Sequence, residues 1–187
     1  MIYNLQRISK KILIAGISGS KPSDVKATIE KLRSLEIPFQ LIRVDRVAGV
    51  NHLFSAAEHA LVAQERGARI SHSVEMDILL YAAGERQIKE AIRKLGVEQT
   101  TSAIAVVAVV DDEASGNKLL ERAIALFNGR IDDGILEDID TKRVTNLEQA
   151  FHISEEAIDA CRQPGETKAH VVQKLVLESI GVFAATI

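Results

Sequence analysis

The chain has 187 residues, of which 47% are hydrophobic and 26% are charged, a composition typical of one soluble globular domain with a sizeable core. Its 23 Lys and Arg residues against 26 Asp and Glu residues give a net charge of −3. This excludes a globally basic nucleic-acid-binding protein and leaves only a local basic patch for such a role. The single cysteine, Cys161, excludes an intramolecular disulfide and a cysteine zinc cluster.

Hydrophobic patterns and capping residues predict strands that alternate with helices along the chain. A continuous apolar run predicts a strand covered on both faces at Lys11–Ile17. Two further strands are predicted at Phe39–Val44, after Pro38, and at Ala103–Val110. Start and stop signals predict the helices, which run from Ser23 or Asp24 to Leu35, from Asn51 to Gly67, from Ser73 to Gly84, from Arg86 to Leu95, from Lys118 to Phe127, from Thr145 with a restart at Ser154, and from Lys168 onward.

No linker, repeat or low-complexity tract divides this pattern, so residues 1–187 are predicted to form a single domain. The predicted fold class is α/β, with a small mixed sheet of three to four strands flanked by several helices. No signal-peptide pattern follows Met1, and the longest apolar run, Ile104–Val110, is too short to span a bilayer. We therefore expect a cytoplasmic protein that does not contact a membrane.

The turn Gly16–Lys21 is the one segment that at first resembles a phosphate-binding loop. It follows a strand, but two residues separate its glycines where a P-loop has four, and Pro22 removes an N–H group. No nucleophile–base pair is recognisable elsewhere, so we expect no enzymatic activity, no cofactor and no small-molecule substrate. The alternative is a small nucleotide-binding enzyme that uses this turn together with Asp111–Glu113.

Several acidic residues and histidines are predicted to have structural roles. Asp111–Glu113 is predicted to cap the following helix, and the acids between Asp132 and Asp140 to form an exposed loop. His52 and His59 are seven residues apart, too far for two ligands of one metal. A histidine packed or hydrogen-bonded in a helix seam is one interpretation, and a functional contact is the other.

Two helices present candidate binding surfaces. The helix Arg86–Leu95 has an apolar side and a basic side, and the basic side is either a solvated face or a strip that contacts RNA phosphates. The last helix spreads its apolar residues over ~240° of the helical wheel, beyond the ~100° needed to pack on one core. It is therefore buried from two sides, or it contacts another protein or a second copy of the chain.

Three runs in the middle of the chain carry a resemblance to a known family. They are Asn51–Phe54 continuing to His59–Leu61, Met76–Leu80, and Gly84–Ile92 continuing to Gly96. In order and spacing they resemble the small kinase-binding regulatory subunit of the KEOPS tRNA-modification complex, and the run Arg-Gln-Ile-Lys-Glu-Ala-Ile is the most specific part. The resemblance covers most of the chain except Gly129–Thr145, and a short chain of this kind is consistent with an archaeal source.

The resemblance implies a non-catalytic subunit that binds and stimulates the atypical kinase/ATPase subunit of KEOPS. It also implies that the protein helps to recruit tRNA, through the 3′ CCA end, for threonylcarbamoyladenosine formation next to the anticodon. The last helix is then the kinase-docking element, for which we predict contacts by Val172, Leu175, Val176 and Ser179. The predicted RNA contacts are Arg86, Lys89, Arg93 and Lys94, with His59 as a weaker candidate.

Overall fold

The protein's computed structural model describes residues 1–4, 10–20 and 24–187. The strands are β1 (Ile2–Asn4), β2 (Lys11–Ser18), β3 (Phe39–Arg43), β4 (Ala103–Val110) and β5 (Arg130–Ile131). The helices are α1 (Val25–Arg33), α2 (Val50–Glu65), α3 (Val74–Ala83), α4 (Ile88–Leu95), α5 (Glu113–Phe127), α6 (Gly134–Glu137), α7 (Thr141–Phe151), α8 (Glu155–Cys161) and α9 (Lys168–Ala185), with a 3₁₀ turn at Val44–Arg46.

The sheet is open, and its strand order is β1-β2-β4-β3, with β5 pairing the other end of β2. β2 and β3 run in the same direction, but β4 lies between them and runs in the opposite direction. Every strand pair in the described residues is therefore antiparallel, and the mixed sheet expected from the sequence is wrong. The α/β class and the small sheet flanked by helices are confirmed.

Helices cover both faces of the sheet, which explains the continuous apolar runs. Successive side chains of a strand point to opposite faces, so Ile12 and Ile14 of β2 pack with α2 and α3, whereas Leu13 and Ile17 pack with α1 and α5. Because both faces lie under helices, nearly every residue of β2 and β4 is buried.

The last helix, α9, packs against two separate groups of residues. Ile180 and Phe183 join the core beneath α2 and α3, whereas Val172 and Val176 join a smaller core formed with α7 and α8. This double packing accounts for much of the wide apolar arc seen in the sequence. None of the helices in the described ranges is long and apolar enough to cross a membrane.

Four predicted helix starts are wrong. Helix α4 begins at Ile88 rather than Arg86, with Gln87 at the N-cap position. Helix α2 begins at Val50, one residue before the predicted cap, because Gly49 occupies the N-cap position with a φ of 94°. Helix α5 begins at Glu113 rather than Lys118. Helix α7 begins at Thr141 rather than Thr145, because the Asp140 carboxylate accepts a hydrogen bond from an amide of the first turn. The predicted cap Ser23 lies outside the described residues, and Asp24 caps α1.

Candidate functional site

Gly16 contributes to sheet packing rather than to a phosphate loop. Its amide donates to the Asp133 carboxylate at 2.9 Å, and its carbonyl accepts from the amide of Asp132 at 2.9 Å. A Cβ atom at Gly16 would collide with the backbone oxygen of Asp132. The absence of a side chain at Gly16 therefore lets the backbone of Asp132 pack closely against β2. Asp133 is half-buried, and its predicted position in an exposed loop is wrong. Lys21, the end of the candidate turn, lies outside the described residues.

The acids after β4 cap a helix, as predicted. The Asp112 carboxylate accepts from the amide and the hydroxyl of Ser115, each at 2.7 Å, and these hydrogen bonds lower the pKa of Asp112. Asp111 pairs with Lys10 at 2.5 Å. In residues 1–4, 10–20 and 24–187, no group of three or more His, Cys, Asp or Glu side chains is placed to hold a metal ion.

His52 is a fully buried structural histidine. Its Nδ1 accepts the Ala48 amide at 3.0 Å, so the neutral ring carries its proton on Nε2 and donates to the Ala82 carbonyl at 2.8 Å. Burial lowers the pKa of His52 to about 4, and the ring is therefore neutral at pH 7. His52 thus links the start of α2 to the end of α3, which is one of the two interpretations that the sequence left open for a histidine of this helix.

His59 lies at the surface end of an aromatic row. The half-buried His59 ring stacks on Tyr81, with centroids 5.7 Å apart, and Tyr81 meets Phe183 edge to face at 5.5 Å. The row joins α2, α3 and α9, and one face of His59 is therefore already occupied by protein.

Three of the four predicted cations reach the surface around α4. Arg86, Lys89 and Arg93 are exposed. Arg86 precedes the helix, and its guanidinium donates to the backbone oxygen of Thr186 at the end of α9. Arg93 pairs with Glu90 one turn away at 2.6 Å, an exposed pair of small energetic value.

The fourth cation, Lys94, is largely buried. Its side chain is 13% exposed, its ammonium pairs with Glu85 at 2.7 Å, and it donates to the Ala83 carbonyl at 2.8 Å. The same ammonium lies 5.0 Å from the centre of the Phe151 ring. Lys94 therefore stabilises the connection between α3 and α4, and its packing removes it from the surface that RNA can reach.

The apolar side of α4 is only half covered. Ala91 and Leu95 are fully buried, but Ile88 and Ile92 remain 43% and 50% exposed. At ~100° per residue these two isoleucines lie directly beside Lys89 and Arg93 on the helical wheel. The outer surface of α4 is therefore an aliphatic stripe next to a basic stripe.

The structure divides the four predicted docking residues of α9 into two pairs. Val172 and Val176 have no exposed surface, because α7 and α8 cover them. A partner cannot touch them, and their assignment as contact residues is corrected. Leu175 and Ser179 are half-buried and line an open groove of about 450 Å³. The other lining residues are Gly84, Glu178, Val182, Phe183 and Thr186.

Val182 is the most exposed apolar residue of the groove and was not among the four docking residues predicted from the sequence. It is 59% exposed, the most exposed of the large hydrophobic side chains in the described residues. It was visible in the sequence as part of the wide apolar arc of the last helix. Only the packing of α7 and α8 shows which part of that arc stays free.

An open apolar groove bordered by exposed cations is characteristic of a protein that binds other macromolecules. The model of the family described as kinase binding protein CGI-121 matches residues 3–182. The chain is also 31% identical, over 126 residues, to the regulatory protein Cgi121 of Methanocaldococcus jannaschii, an alignment that covers 67% of this chain and 74% of that protein. The chain belongs to the CGI-121 kinase-binding protein family, which confirms the resemblance seen in its sequence.

Proposed function

We propose that this protein is a non-catalytic KEOPS subunit that binds and stimulates the kinase/ATPase subunit and recruits tRNA by its 3′ CCA end for threonylcarbamoyladenosine formation. The observation that carries the proposal is the exposed groove on α9, whose end is joined to the cations of α4 through Arg86 and Thr186. Membership in a kinase-binding family supports the first half. ATP turnover by the isolated chain, free of kinase, would contradict the proposal.

The kinase contacts that we propose are Leu175 and Ser179, from the sequence analysis, together with Val182. Leu175 and Val182 offer apolar surface in the groove, and Ser179 is small enough to let a partner approach. Contiguous apolar surface exposed in this way usually marks an interaction site. Val172 and Val176 support the groove from within, because they hold α9 on α7 and α8.

Replacing Val182 with Arg is expected to weaken kinase binding at least tenfold while the fold is retained. The side chain is 59% exposed, so an arginine there stays solvated in the free protein but meets apolar surface in the complex. The complex would then bury a charge that has no partner, which costs several kcal/mol. Calorimetric titration with the cognate kinase subunit, and its ATPase rate, measure the effect. Ile131→Arg on β5, where Ile131 is 43% exposed, is the control, and wild-type affinity in Val182→Arg would refute the docking site.

The RNA contacts that we propose are Arg86, Lys89 and Arg93, with His59 in a secondary role. Their cationic groups are exposed on or next to α4, where they can neutralise phosphates despite the net charge of −3. Ile88 and Ile92 beside them give unpaired bases an apolar surface, which a duplex would not use. Lys94 is left out because its ammonium is occupied by Glu85 and Ala83.

The double variant Arg86→Ala, Lys89→Ala is expected to bind tRNA more weakly and with a flatter salt dependence. Each lost phosphate contact should reduce the slope of log affinity against log salt by ~0.7 for a single strand, so two should reduce it by ~1.4. Lys118→Ala, Arg122→Ala removes the same charge from exposed positions of α5 and serves as the matched control. Binding of intact tRNA and of tRNA without CCA is compared for each protein, and equal affinity for both RNAs in all three would remove the RNA half of the proposal.

A further inference from the structure

We infer that the α9 groove receives an amphipathic helix of the partner whose direction is fixed by two charges, a basic side chain at Glu178 and an acidic side chain at Arg86. The inference rests on the proposed docking function and adds the recognition chemistry of the partner. In the complex it assigns Arg86 to the partner, so that Lys89 and Arg93 remain available to RNA. Its basis is the charge arrangement at the borders of the groove.

Glu178 lies on the rim of the apolar strip of α9. At ~100° per residue, Val182 lies ~40° from Glu178 on the helical wheel, Leu175 ~60° and Ser179 ~100°. Glu178 is exposed, and no ion pair joins it to another described residue. Lys174, one turn before it, pairs instead with Glu166 at 2.7 Å. The carboxylate of Glu178 is therefore free to meet a cation that arrives with a partner.

Arg86 supplies the opposite charge next to Thr186, the C-cap residue of α9, which lines the groove. Its guanidinium, which has five N–H donors, gives one described hydrogen bond, to the backbone oxygen of Thr186. Thr186 follows Glu178 by eight residues, which corresponds to ~12 Å along a helix. The border of the groove therefore carries a negative and a positive charge that lie about two helical turns apart along α9.

The floor between these charges suits a helix. Gly84 ends α3 in the left-handed conformation with a φ of 62°, and it contributes no side chain to the groove. Beside it lies the small side chain of Ser179, so a partner helix can approach closely while its apolar side chains contact Leu175 and Val182. Residues seven or eight positions apart on such a helix span the same ~12 Å. A basic and an acidic residue at that spacing would match Glu178 and Arg86 in one direction only.

The test measures the affinity of the cognate kinase subunit for the wild-type chain and for Glu178→Gln, Glu178→Lys, Val182→Arg and the control Glu121→Lys on α5. We expect Glu178→Gln to weaken binding severalfold, Glu178→Lys to weaken it more than tenfold, and the control to have no effect. Partner variants with Lys or Arg changed to Glu are then screened, and one of them should restore binding to Glu178→Lys. The Arg86→Glu variant is screened against partner Asp or Glu changed to Lys in the same way.

The outcomes separate this inference from the proposed function. Loss of binding in Val182→Arg with wild-type affinity in Glu178→Lys would overturn the charge-directed helix and leave the docking site intact. Wild-type affinity in both variants would overturn both. Because a second copy of the chain also offers Arg86 to Glu178, sedimentation of the wild type and of Glu178→Lys is included. Self-association that depends on Glu178 would mean that a second copy of the chain occupies the groove, and it would overturn the inference. A monomeric chain, together with restored binding in the charge-reversal pair, would support it.

Discussion

Replacing Val176 with arginine is expected to destabilise the fold rather than to weaken partner binding selectively. Val176 has no exposed surface and packs in the small core with Val144, Leu147 and Ile158. An arginine in this position buries a charge that has no partner, which costs roughly 3 kcal/mol or more. Domains of this kind are stable by only about 5–15 kcal/mol, so a loss of this size is readily measured as a lower midpoint of urea unfolding.

The matched comparison is Val182→Arg, six residues later on the same helix. Val182 is 59% exposed, and an exposed substitution away from special features usually changes stability by no more than about 0.5 kcal/mol. We expect the two variants to have opposite phenotypes, with Val176→Arg lowering the unfolding midpoint and Val182→Arg lowering partner affinity alone. A folded Val176→Arg protein that fails to bind its partner would mean that α7 and α8 move away from α9 in the complex.

The strands and several helix ends could be predicted because they depend on local chemistry. The runs that became β2 and β4 are apolar at nearly every position, a pattern that follows from burial on both faces. Gly84 ended α3 as predicted because a left-handed residue at this position favours glycine. The antiparallel order of the sheet was not predictable in the same way, because no local signal states which strand lies between β2 and β3.

The candidate surfaces were predicted in outline but not in detail, because burial depends on distant segments. Helical spacing placed Lys94 beside Arg93, yet Phe151 of α7 lies against the Lys94 ammonium and closes it off from solvent. In the same way, the helical wheel of α9 grouped Val176 with Leu175, and only the packing of α7 and α8 shows that Val176 is fully buried while Leu175 is half-buried. Sequence periodicity therefore predicted which helices carry the candidate surfaces, but it did not predict which residues of those helices are exposed.

The resemblance recognised in the sequence does not cover the segment Gly129–Thr145, and one buried cation holds this segment in place. Arg143 is 5% exposed and donates to the carbonyls of Val47, Ile135, Leu136 and Asp138 at 2.7, 2.6, 3.0 and 3.0 Å. Burial lowers the pKa of Arg143 to about 10, so it remains protonated at pH 7. Its guanidinium thereby fixes α6 and the start of α7 to the segment that precedes α2. The sequence does not identify such a residue, because its partners are backbone carbonyl groups. Every residue has one, so no side-chain pattern marks the site.

Replacing Arg143 with Met is therefore expected to destabilise the protein by about 3 kcal/mol or more. Methionine fills a similar volume but leaves four carbonyl groups without their donor, and each buried unsatisfied group costs about 1–3 kcal/mol. Arg143→Lys should recover part of the loss, because an ammonium keeps the charge but lacks the planar fork that reaches all four oxygens. The exposed neighbour Lys142, changed to Met, is the control. Urea unfolding followed by circular dichroism should rank the wild type and Lys142→Met together, then Arg143→Lys, then Arg143→Met. An Arg143→Met midpoint equal to that of the control would show that water replaces the guanidinium without cost.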